Sequence, residues 1–548
     1  MADLVRPLPQ PTFASAEFWR SGADGVLRLC RCADCGRFFH PPMPVCPSCR
    51  GGAVTLAPTS GRAIVVGFTV TLQAWLPAFP PPYVVAVVAL AEDDRARLTT
   101  NVVGCDPDAV HVGMRVRVRF ERHDDLHLPL FEPDTDTEPG PLPEVRDVRA
   151  ALRPPASTGR FEDAVALTGV GQSRVGRRLM VDPVALTVEA TRAAVADAGL
   201  DLDDIDGLST YPGPMAGGLG EGGIGPLVEA LGLRPVWVNG AREVPGQLGS
   251  VIAGMLAVAA GLCRHVLCFR TVWESSHSAA VRSGQWAPET GPATGMLEWR
   301  APFGAVSAAQ WIGCNASHYL HRYGVGRDVL GAIAVTQRAG AARNPEAVYR
   351  EPLTIDDYFD ARMVTTPFGL YDCDVPCDGA VAVVVSSVET AADRPRPPVL
   401  VEAVGTAILE RLSWDQDTLA HTPQSRGPAA HLWTRTGLRP SDVDVALLYD
   451  GFTFNAVSWL EGLGFCGPGE ATDFVAGGTT IALGGALPLN PHGGQLSAGR
   501  LHGYGGVREA VLQLRGEAHG RQVDGARVAV VTAGGGVPSG AVLLRRAG

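Results

Sequence analysis

The chain has 548 residues, of which 46% are hydrophobic and 19% are charged, and its formal net charge is −11. This length predicts two or three domains, and the acidic balance argues against nonspecific nucleic-acid binding, which needs clustered cations. No apolar run reaches about 18 residues, so we expect no membrane span, no signal peptide and a cytoplasmic protein.

One residue type is missing from the chain, because all 46 positions counted as Lys or Arg are Arg. A Schiff base needs a side-chain amine, so the sequence excludes imine catalysis by lysine. The 12 cysteines are interpreted as reduced thiols plus one metal site, because we expect no signal peptide.

Composition shifts along the chain predict five regions. They are a helix and zinc ribbon over 1–59, an OB-fold over 60–127, a linker over 128–160, and two α/β halves over 161–395 and 396–548.

The first region contains two cysteine knuckles after a short helical lead-in over residues 12–29. Cys32 and Cys35 form one Cys-x-x-Cys pair, and ten residues later Cys46 and Cys49 form another. Such knuckles place four thiolates on one tetrahedral zinc ion and leave no open position for catalysis. We therefore expect a structural zinc; the alternative is a degenerate ribbon without metal.

The second region is predicted to be a small β-barrel. Four β-rich segments are separated by Gly and Pro, at 63–71, 83–91, 98–103 and 115–121. A ribbon followed by a five-stranded barrel is an OB-fold arrangement. Nucleic-acid binding is the rival function of this fold, but no surface of aromatic and basic residues supports it. Trp75, Phe79 and Tyr83 are instead candidates for contact with another domain.

The remaining regions change from linker to alternating strands and helices. Residues 128–160 alternate Pro with acidic residues, which disfavours packed secondary structure. From residue 161 the strand–helix rhythm predicts a layered α/β fold, with Asp182 capping the helix that starts at Pro183. The rhythm breaks over 275–360, which we assign to an inserted segment.

Two motifs between residues 446 and 506 carry the functional hypothesis. An apolar run ends in Tyr449-Asp450-Gly451-Phe452, and Asn490-Pro-His-Gly-Gly leads to Gly499-Arg500-Leu501. They resemble landmarks of the thiolase superfamily in its lipid-transfer-protein-like branch. There a strand ends in Asn-Glu-Ala-Phe or His-Asp-Cys-Phe, and Asn-x-x-Gly-Gly leads to Gly-His-Pro. The resemblance covers residues 161–548 and implies a thiolase fold of two pseudo-symmetric halves, with a loop domain at about 275–360.

The residues that carry chemistry in the superfamily are changed here. Gly246 stands where the nucleophilic Cys belongs, and Thr532 stands where the second Cys precedes a Gly-Gly-Gly run. Arg500 aligns with the His of Gly-His-Pro, and Tyr449 with the Asn or His of the third motif. Neither Gly nor Thr supplies a thiolate, which argues against an acyl-enzyme. The other thiols considered as nucleophiles are Cys373, Cys377 and Cys466.

A thiolase-shaped pocket without a nucleophile fits a non-covalent reaction through a thioester enolate. The lipid-transfer-protein-like aldolases of steroid side-chain breakdown pair with a zinc-ribbon/OB-fold subunit, which is fused here to the amino terminus. This resemblance implies retro-aldol cleavage of a β-hydroxyacyl-CoA into a ketone or aldehyde and a shorter acyl-CoA. Coenzyme A then enters only as part of the substrate.

The resemblance places five candidate catalytic side chains near one another: Tyr449, His502, Tyr504, Arg500 and Asp450. Tyr449 is the first candidate for proton transfer, and its phenol, with an ordinary pKa of about 10, needs a lowered pKa or a hydrogen-bonded partner. His502 is a candidate acid or base, and Arg500 is expected to bind carbonyl or phosphate oxygens or to pair with Asp450. Backbone N–H groups for the thioester carbonyl are assigned to Gly246, Gly534, Gly535 and Gly536.

The sequence leaves two other functions open. One is a Claisen-type thiolase or acyltransferase that uses a non-standard Cys, and the other is a non-catalytic scaffold that binds acyl-CoA or lipid. As partners we expect a second copy, in a homodimer with its interface strand near 266–269, and an acyl-CoA dehydrogenase or hydratase of the same pathway. We expect no nucleic acid and no membrane.

Overall fold

The structure is a computed structural model. It describes residues 6–135, 138–146, 152–153, 159–211, 220–241, 245–286, 291–392, 394–416, 418–421, 425–534 and 539–548.

The amino-terminal part is a three-stranded antiparallel sheet in the order β2-β1-β3. It comprises helix α1 (Ala16–Arg20) and strands β1 (Arg28–Cys32), β2 (Phe38–Phe39) and β3 (Val54–Pro58). The helical lead-in is shorter than the predicted 12–29. Residues from Arg28 onward are extended because β1 pairs along its whole length with β3.

Five strands form the OB barrel, as predicted. They are β4 (Arg62–Thr71), β5 (Tyr83–Leu90), β6 (Arg97–Thr100), β7 (Arg115–His123) and β8 (Leu126–Pro133). The barrel closes next to β6, where Val103 donates its N–H to the carbonyl of Phe131 and Phe131 donates to Asn101.

The predicted start of the linker at residue 128 is wrong, because β8 continues to Pro133. Leu128, Leu130 and Phe131 are buried in the barrel core. The free energy gained by burying these apolar side chains outweighs the loss of the one hydrogen bond that Pro129 cannot donate. The rest of the predicted linker lies partly outside the described residues.

The barrel packs against the α/β part through backbone and aromatic contacts. Strand β13 (Met363–Thr365) pairs with β14 (Phe368–Gly369) and, at Thr365, with Thr71 of the barrel. The hydroxyl of Tyr83 donates to the carbonyl of Gly304 at 2.9 Å. Aromatic residues of the Pro-rich loop therefore contact the α/β part, as expected.

The remaining strands form one nine-stranded sheet in the order β11-β10-β12-β15-β9-β16-β19-β18-β17. Antiparallel pairing of β9 with β16 joins the two halves. The strands are β9 (Val165–Gln172), β10 (Gly207–Thr210), β11 (Trp237–Asn239), β12 (His265–Trp273), β15 (Asp378–Ser387), β16 (Val399–Gly405), β17 (Val445–Leu447), β18 (Val528–Ala533) and β19 (Gly540–Arg546).

Helices cover both faces of this sheet, and among the described residues four of them, of which α5 starts one residue earlier, lie in the region 275–360 assigned to the loop domain. They are α2 (Pro183–Asp197), α3 (Ile224–Leu231), α4 (Leu248–Ala259), α5 (Glu274–Arg282), α6 (Ala308–Tyr323), α7 (Asp328–Ala342), α8 (Ile355–Asp360), α9 (Val388–Ala391), α10 (Arg426–Trp433), α11 (Thr453–Leu463), α12 (Ala471–Val475) and α13 (Tyr504–Arg515). Asp182 caps α2 by accepting the N–H groups of Val184 and Ala185.

Alternating side chains sort the helices into layers. In β15, Val381 and Val383 face a core shared with α4 and α13, whereas Ala382 and Val384 face α2 and α3. The second half repeats this arrangement, with one face of β18 and β19 on α4 and α13 and the other on α10 and α11. Helices α4 and α13 therefore lie between the two halves of the sheet, which is the layered thiolase fold that the resemblance implied.

The residues near which an interface strand is expected, 266–269, do not lie at an edge of the sheet. These residues belong to β12, which pairs with β10 on one side and β15 on the other and so has no free edge. Strand β11 ends the sheet on that side instead. In the part of the chain that the structure describes, no helix combines the length and apolar character needed to cross a membrane.

Candidate functional site

The four knuckle cysteines converge in a geometry that fits zinc. Their sulfur atoms all lie within 4.8 Å of one another, with 3.5 Å between Cys32 and Cys49 and 3.7 Å between Cys35 and Cys46. Zinc–sulfur bonds of about 2.3 Å in a tetrahedron require sulfurs about 3.8 Å apart. Backbone N–H groups of Ser48 and Gly51 approach two of the thiolates at 3.4 Å. The ion would hold the two turns together and offer no coordination site to a substrate.

A second cluster of polar side chains lies where the amino-terminal ends of α4 and α13 meet the end of β17. Strand β17 leads into Tyr449 and Asp450, and the loop from Arg500 to Gly503 leads into α13. Both Tyr449 and residues of this loop line a small cavity of about 30 Å³, which is large enough for one water molecule.

Asp450 organises the turn that precedes the loop from Arg500 to Gly503. Its buried carboxylate accepts the N–H of Gln495 at 2.9 Å and that of Leu496 at 3.4 Å, in a single π-helical turn over 494–498. Burial raises the pKa of Asp450 to about 7, although these N–H groups oppose the shift. Among the described residues no ion pair joins Asp450 to Arg500, so the structure does not contain the proposed pairing.

Tyr449 is anchored through its backbone. Its N–H donates to Oγ1 of Thr532 at 2.8 Å. Burial and the nearby Asp374 and Asp450 raise the pKa of the phenol above its ordinary value, so the side chain is a neutral hydroxyl rather than a phenolate. The lowered pKa weighed for Tyr449 is therefore not observed.

Asp374 is a site residue that sequence reasoning missed. Its backbone N–H donates to the carbonyl of Gly451, and its carboxylate lies 3.3 Å from Nη1 of Arg500. A Cβ at position 451 would stand 3.3 Å from the Tyr449 hydroxyl and 3.4 Å from Oδ2 of Asp374, so only Gly leaves both groups unobstructed. Burial, together with the charge of Asp450, raises the pKa of Asp374.

Arg500 binds carboxylates of the chain itself. It forms ion pairs with Asp374 and with Glu274, the first residue of α5. Burial and the neighbouring Arg270 lower the pKa of Arg500 to about 10, which still leaves it charged at neutral pH. This cation links the loop before α13 to the segment that carries Asp374.

His502 contacts a second missed residue, Arg270 of β12. Nη2 and Nε of Arg270 lie 2.9 and 3.3 Å from Nδ1 of His502. Burial lowers the pKa of His502, and the charges of Arg270 and Arg500 lower it further. The imidazole is therefore neutral.

Tyr504 is in the cluster, but its hydroxyl is used for packing. The side chain is fully buried and is hydrogen-bonded to Oγ of Ser250, which in turn donates to the carbonyl of Gln247. This contact ties the first turn of α13 to α4.

Both positions of the missing thiolase cysteines have structural roles here. Gly246 has a φ of 57°, and a Cβ there would lie 2.8 Å from the carbonyl oxygen of Ala533. Gly534, with a φ of 97°, lies beside Gly246, whereas Gly535 and Gly536 are outside the described residues. The hydroxyl of Thr532 is occupied by the Tyr449 N–H.

The remaining thiols are poorly suited to nucleophilic attack. Burial raises the pKa of Cys373 and Cys377, with the adjacent aspartates adding to the effect, and raises that of Cys466 to about 12. The charge of Arg362 lowers the pKa of Cys373 but does not reverse the rise.

Three family models match the chain. Residues 19–55 match a rubredoxin-like zinc ribbon domain of ChsH2, residues 57–121 match the carboxy-terminal OB-fold domain of ChsH2, and residues 410–544 match a thiolase carboxy-terminal domain.

Curated relatives and a solved structure agree with these matches. A steroid side-chain-cleaving aldolase of Thermomonospora curvata is 36% identical over 70% of this chain and 97% of its own length. The 17-hydroxy-3-oxo-4-pregnene-20-carboxyl-CoA lyase of Mycobacterium tuberculosis is 34% identical over 69% of this chain and 98% of its own length. An Ltp2-ChsH2(DUF35) aldolase structure superimposes with a TM-score of 0.62 and 32% identity, over 70% of this chain and 98% of that one.

Proposed function

The chain belongs to the family of steroid side-chain-cleaving aldolases within the thiolase superfamily, and we propose that it catalyses retro-aldol cleavage of a β-hydroxyacyl-CoA of the steroid or lipid side-chain type. Its zinc ribbon and OB-fold precede the thiolase-like part in one polypeptide.

The reaction breaks one carbon–carbon bond without an acyl-enzyme. The β-hydroxyl loses its proton, the oxygen lone pair forms a carbonyl, and the electrons of the Cα–Cβ bond move into the thioester. The resulting enolate carries its negative charge on the thioester oxygen and is protonated at Cα. The products are a ketone or aldehyde and a shorter acyl-CoA, with no net gain or loss of protons.

The observation that carries this proposal is the conversion of both thiolase cysteine positions into structural ones beside an intact polar cluster. Gly246 packs on the carbonyl of Ala533, and Thr532 binds the Tyr449 N–H. Covalent thiolysis needs a thiolate at one of these positions, whereas enolate chemistry needs only acid, base and hydrogen-bond donors.

We assign proton transfer to Tyr449 and Asp374 acting together. The phenol is neutral, so it takes the proton of the β-hydroxyl only as it passes its own proton to a carboxylate. Asp374 is the carboxylate that Gly451 leaves unobstructed beside the Tyr449 hydroxyl. The reverse transfer returns a proton to Cα. Asp450 holds the adjoining turn in place through Gln495 and Leu496.

Stabilisation of the enolate oxygen is assigned to hydrogen-bond donors at the helix ends. The amino-terminal turns of α4 and α13, which have no side-chain caps, face the cluster with their positive dipole ends. Backbone N–H groups at Gly246 and Gly534, and those of Gly535 and Gly536, are the proposed partners of the thioester carbonyl. Zinc supports the fold of the ribbon and takes no part in these steps.

We propose a homodimer that forms through the edge strand β11. Val236 and Val238 flank Trp237 at this edge and are 71% and 53% exposed, unusually high for valine. Pairing with the same strand of a second copy would extend the sheet and cover these side chains. As a pathway partner we propose an acyl-CoA dehydrogenase or hydratase, because dehydrogenation and then hydration of an acyl-CoA produce the β-hydroxyacyl-CoA that this reaction consumes.

The function is tested by incubating the purified full chain with a panel of β-hydroxyacyl-CoA thioesters that includes 17-hydroxy-3-oxo-4-pregnene-20-carboxyl-CoA. Mass spectrometry should detect a shortened acyl-CoA and an equimolar ketone or aldehyde. Borohydride and iodoacetamide should leave turnover intact, because neither an imine nor a thiolate takes part. An acylated protein, or no cleavage of any thioester in the panel, contradicts the proposal.

A further inference from the structure

Arg270 and His502 form a buried pair whose hydrogen bonding admits one arrangement of protons. Arg270 is 3% exposed and donates to Nδ1 of His502 from two nitrogen atoms, at 2.9 and 3.3 Å. A guanidinium has five N–H groups and no acceptor, so Nδ1 must supply a lone pair. A neutral imidazole carries its single proton on the other nitrogen, which makes Nε2 a donor.

The charges around the pair oppose protonation of the ring. His502 faces Arg270 from β12 and Arg500 from its own loop, and both cations disfavour an imidazolium. Arg270 in turn faces Glu221, Tyr211, Tyr449 and Tyr504. The side chain of Glu221 accepts Thr210 Oγ1 at 3.0 Å and the N–H of Thr271 at 3.2 Å, and burial raises the pKa of this carboxyl group.

The backbone also fixes the ring. His502 has a φ of 50°, a left-handed conformation that a residue with a Cβ adopts only at an energetic cost. It lies between Leu501, which is buried in the core under α4 and α13, and Gly503, which packs on Ala533. The loop therefore holds the imidazole against Arg270.

We propose that Arg270 is a positioning residue that holds His502 as a neutral imidazole with Nδ1 as acceptor, so that Nε2–H serves as a hydrogen-bond donor and not as a base. The assignment of this donor to the enolate oxygen rests on the retro-aldol function proposed above. It replaces the general acid–base role considered for His502, because the single lone pair of the neutral ring is already occupied.

The pair is tested directly by NMR on the full chain labelled in its histidine rings, with the His502 signals identified by their loss in His502→Gln. In the wild type, Nδ1 should be unprotonated and His502 should not titrate between about pH 5 and 8, although an ordinary histidine has a pKa of about 6.5. In Arg270→Met the titration midpoint should move upward. A protonated Nδ1, or the same titration in both proteins, overturns the proposal.

Kinetics distinguish positioning from a general structural role. Arg270→Met should lower kcat about ten- to a hundredfold, the usual scale for a group that orients a functional histidine. The loss should deepen on the acidic side, where the freed His502 ionises, and Arg270→Lys should restore part of the rate. Adding Arg270→Met to His502→Gln should lower kcat little further, because each change already disrupts the same Arg270–His502 pair. Losses that are equal at every pH and additive in the double variant overturn the proposal.

Arg264→Met is the matched control, because Arg264 is exposed just before β12 and contacts Asp206 through its backbone only. It should match the wild type in rate and in His502 titration. If the wild type cleaves no thioester, the retro-aldol function fails, yet the NMR experiment still decides whether Arg270 holds His502 neutral.

Discussion

The backbone N–H of Tyr449 donates to the side-chain oxygen of Thr532 at 2.8 Å. By the resemblance to the thiolase superfamily, Thr532 aligns with the second cysteine and Tyr449 with the carbonyl-activating side chain. Two positions that carry chemistry in the superfamily are thus joined here by a hydrogen bond that fixes the start of the Tyr449-Asp450 turn.

Replacing Thr532 with Val should therefore impair both stability and catalysis. Val keeps the shape but leaves the Tyr449 N–H without an acceptor, which costs about 1–3 kcal/mol for a buried donor. We expect that loss in the unfolding free energy from denaturant titration, together with a lower kcat. Thr532→Ser keeps the acceptor and should stay close to the wild type. Equal stability of Thr532→Val and Thr532→Ser would show that the hydrogen bond contributes nothing.

Tyr449→Phe should lower kcat by about a hundredfold or more, the usual scale for a positioned proton-transfer group. The reason is loss of the hydroxyl beside Asp374, and steady-state kinetics on a cleaved thioester provides the measurement. Cys377→Ala should be nearly silent, because that thiol is buried with a raised pKa. The opposite pattern, an inactive Cys377→Ala and an active Tyr449→Phe, would establish acyl-enzyme chemistry.

Asp450→Asn should change how stability depends on pH. Burial raises the pKa of Asp450 to about 7 in the folded state, so ionising it costs folding free energy. That cost is absent below the unfolded value of about 3.9 and grows as pH rises towards 7.

Relative to the wild type, Asp450→Asn should therefore gain stability between pH 4 and pH 8, by at most ~4 kcal/mol for a shift of about three pKa units. The measurement is unfolding free energy against pH for both proteins. If the difference in unfolding free energy between the two proteins is constant over this range, the pKa of Asp450 is not raised. Asp473→Asn, at an exposed position of α12, is the control substitution.

Cys46→Ser should remove the zinc and destabilise the amino-terminal part. Three thiolates and a serine bind zinc far less well than four thiolates, and a structural zinc contributes its binding energy to folding. Native mass spectrometry should find one zinc per chain in the wild type and none in the variant. Cys30→Ser should retain the metal because Cys30 is not among the four convergent sulfurs. A folded, fully active, zinc-free protein would show that the site is dispensable.

Light scattering at micromolar concentration should find a dimer, and Val238→Arg should convert it to a monomer. The exposed edge strand β11 cannot pair with its copy when a guanidinium is forced into the contact. Leu262→Arg is a control at another exposed apolar side chain and should remain dimeric. A wild-type monomer would refute the assembly.

The amino-acid sequence by itself determined the architecture and the class of chemistry. Cysteine spacing specified the ribbon, and β-rich segments separated by Gly and Pro specified four of the five barrel strands, because local patterns report local geometry. Segment 126–133 was missed because its two prolines and acidic flank resemble a linker, whereas its apolar side chains are buried in the barrel. The absence of lysine and the residues at positions 246 and 532 limited the reaction without any coordinates.

Only the tertiary structure decided which groups meet. Asp374 lies between Cys373 and Cys377, the two thiols that the sequence offers as alternative nucleophiles. Arg270 lies in β12, which was expected to form an interface. No local sequence motif marks either residue, because each contacts a residue that is distant in the chain. Asp374 contacts Arg500, and Arg270 contacts His502. Packing of α4 and α13 between the halves of the sheet brings them together, and burial then sets their charges. Protonation states depend on that environment and not on residue type, which is why the neutral His502 and the raised pKa of Asp450 emerged only from the folded chain.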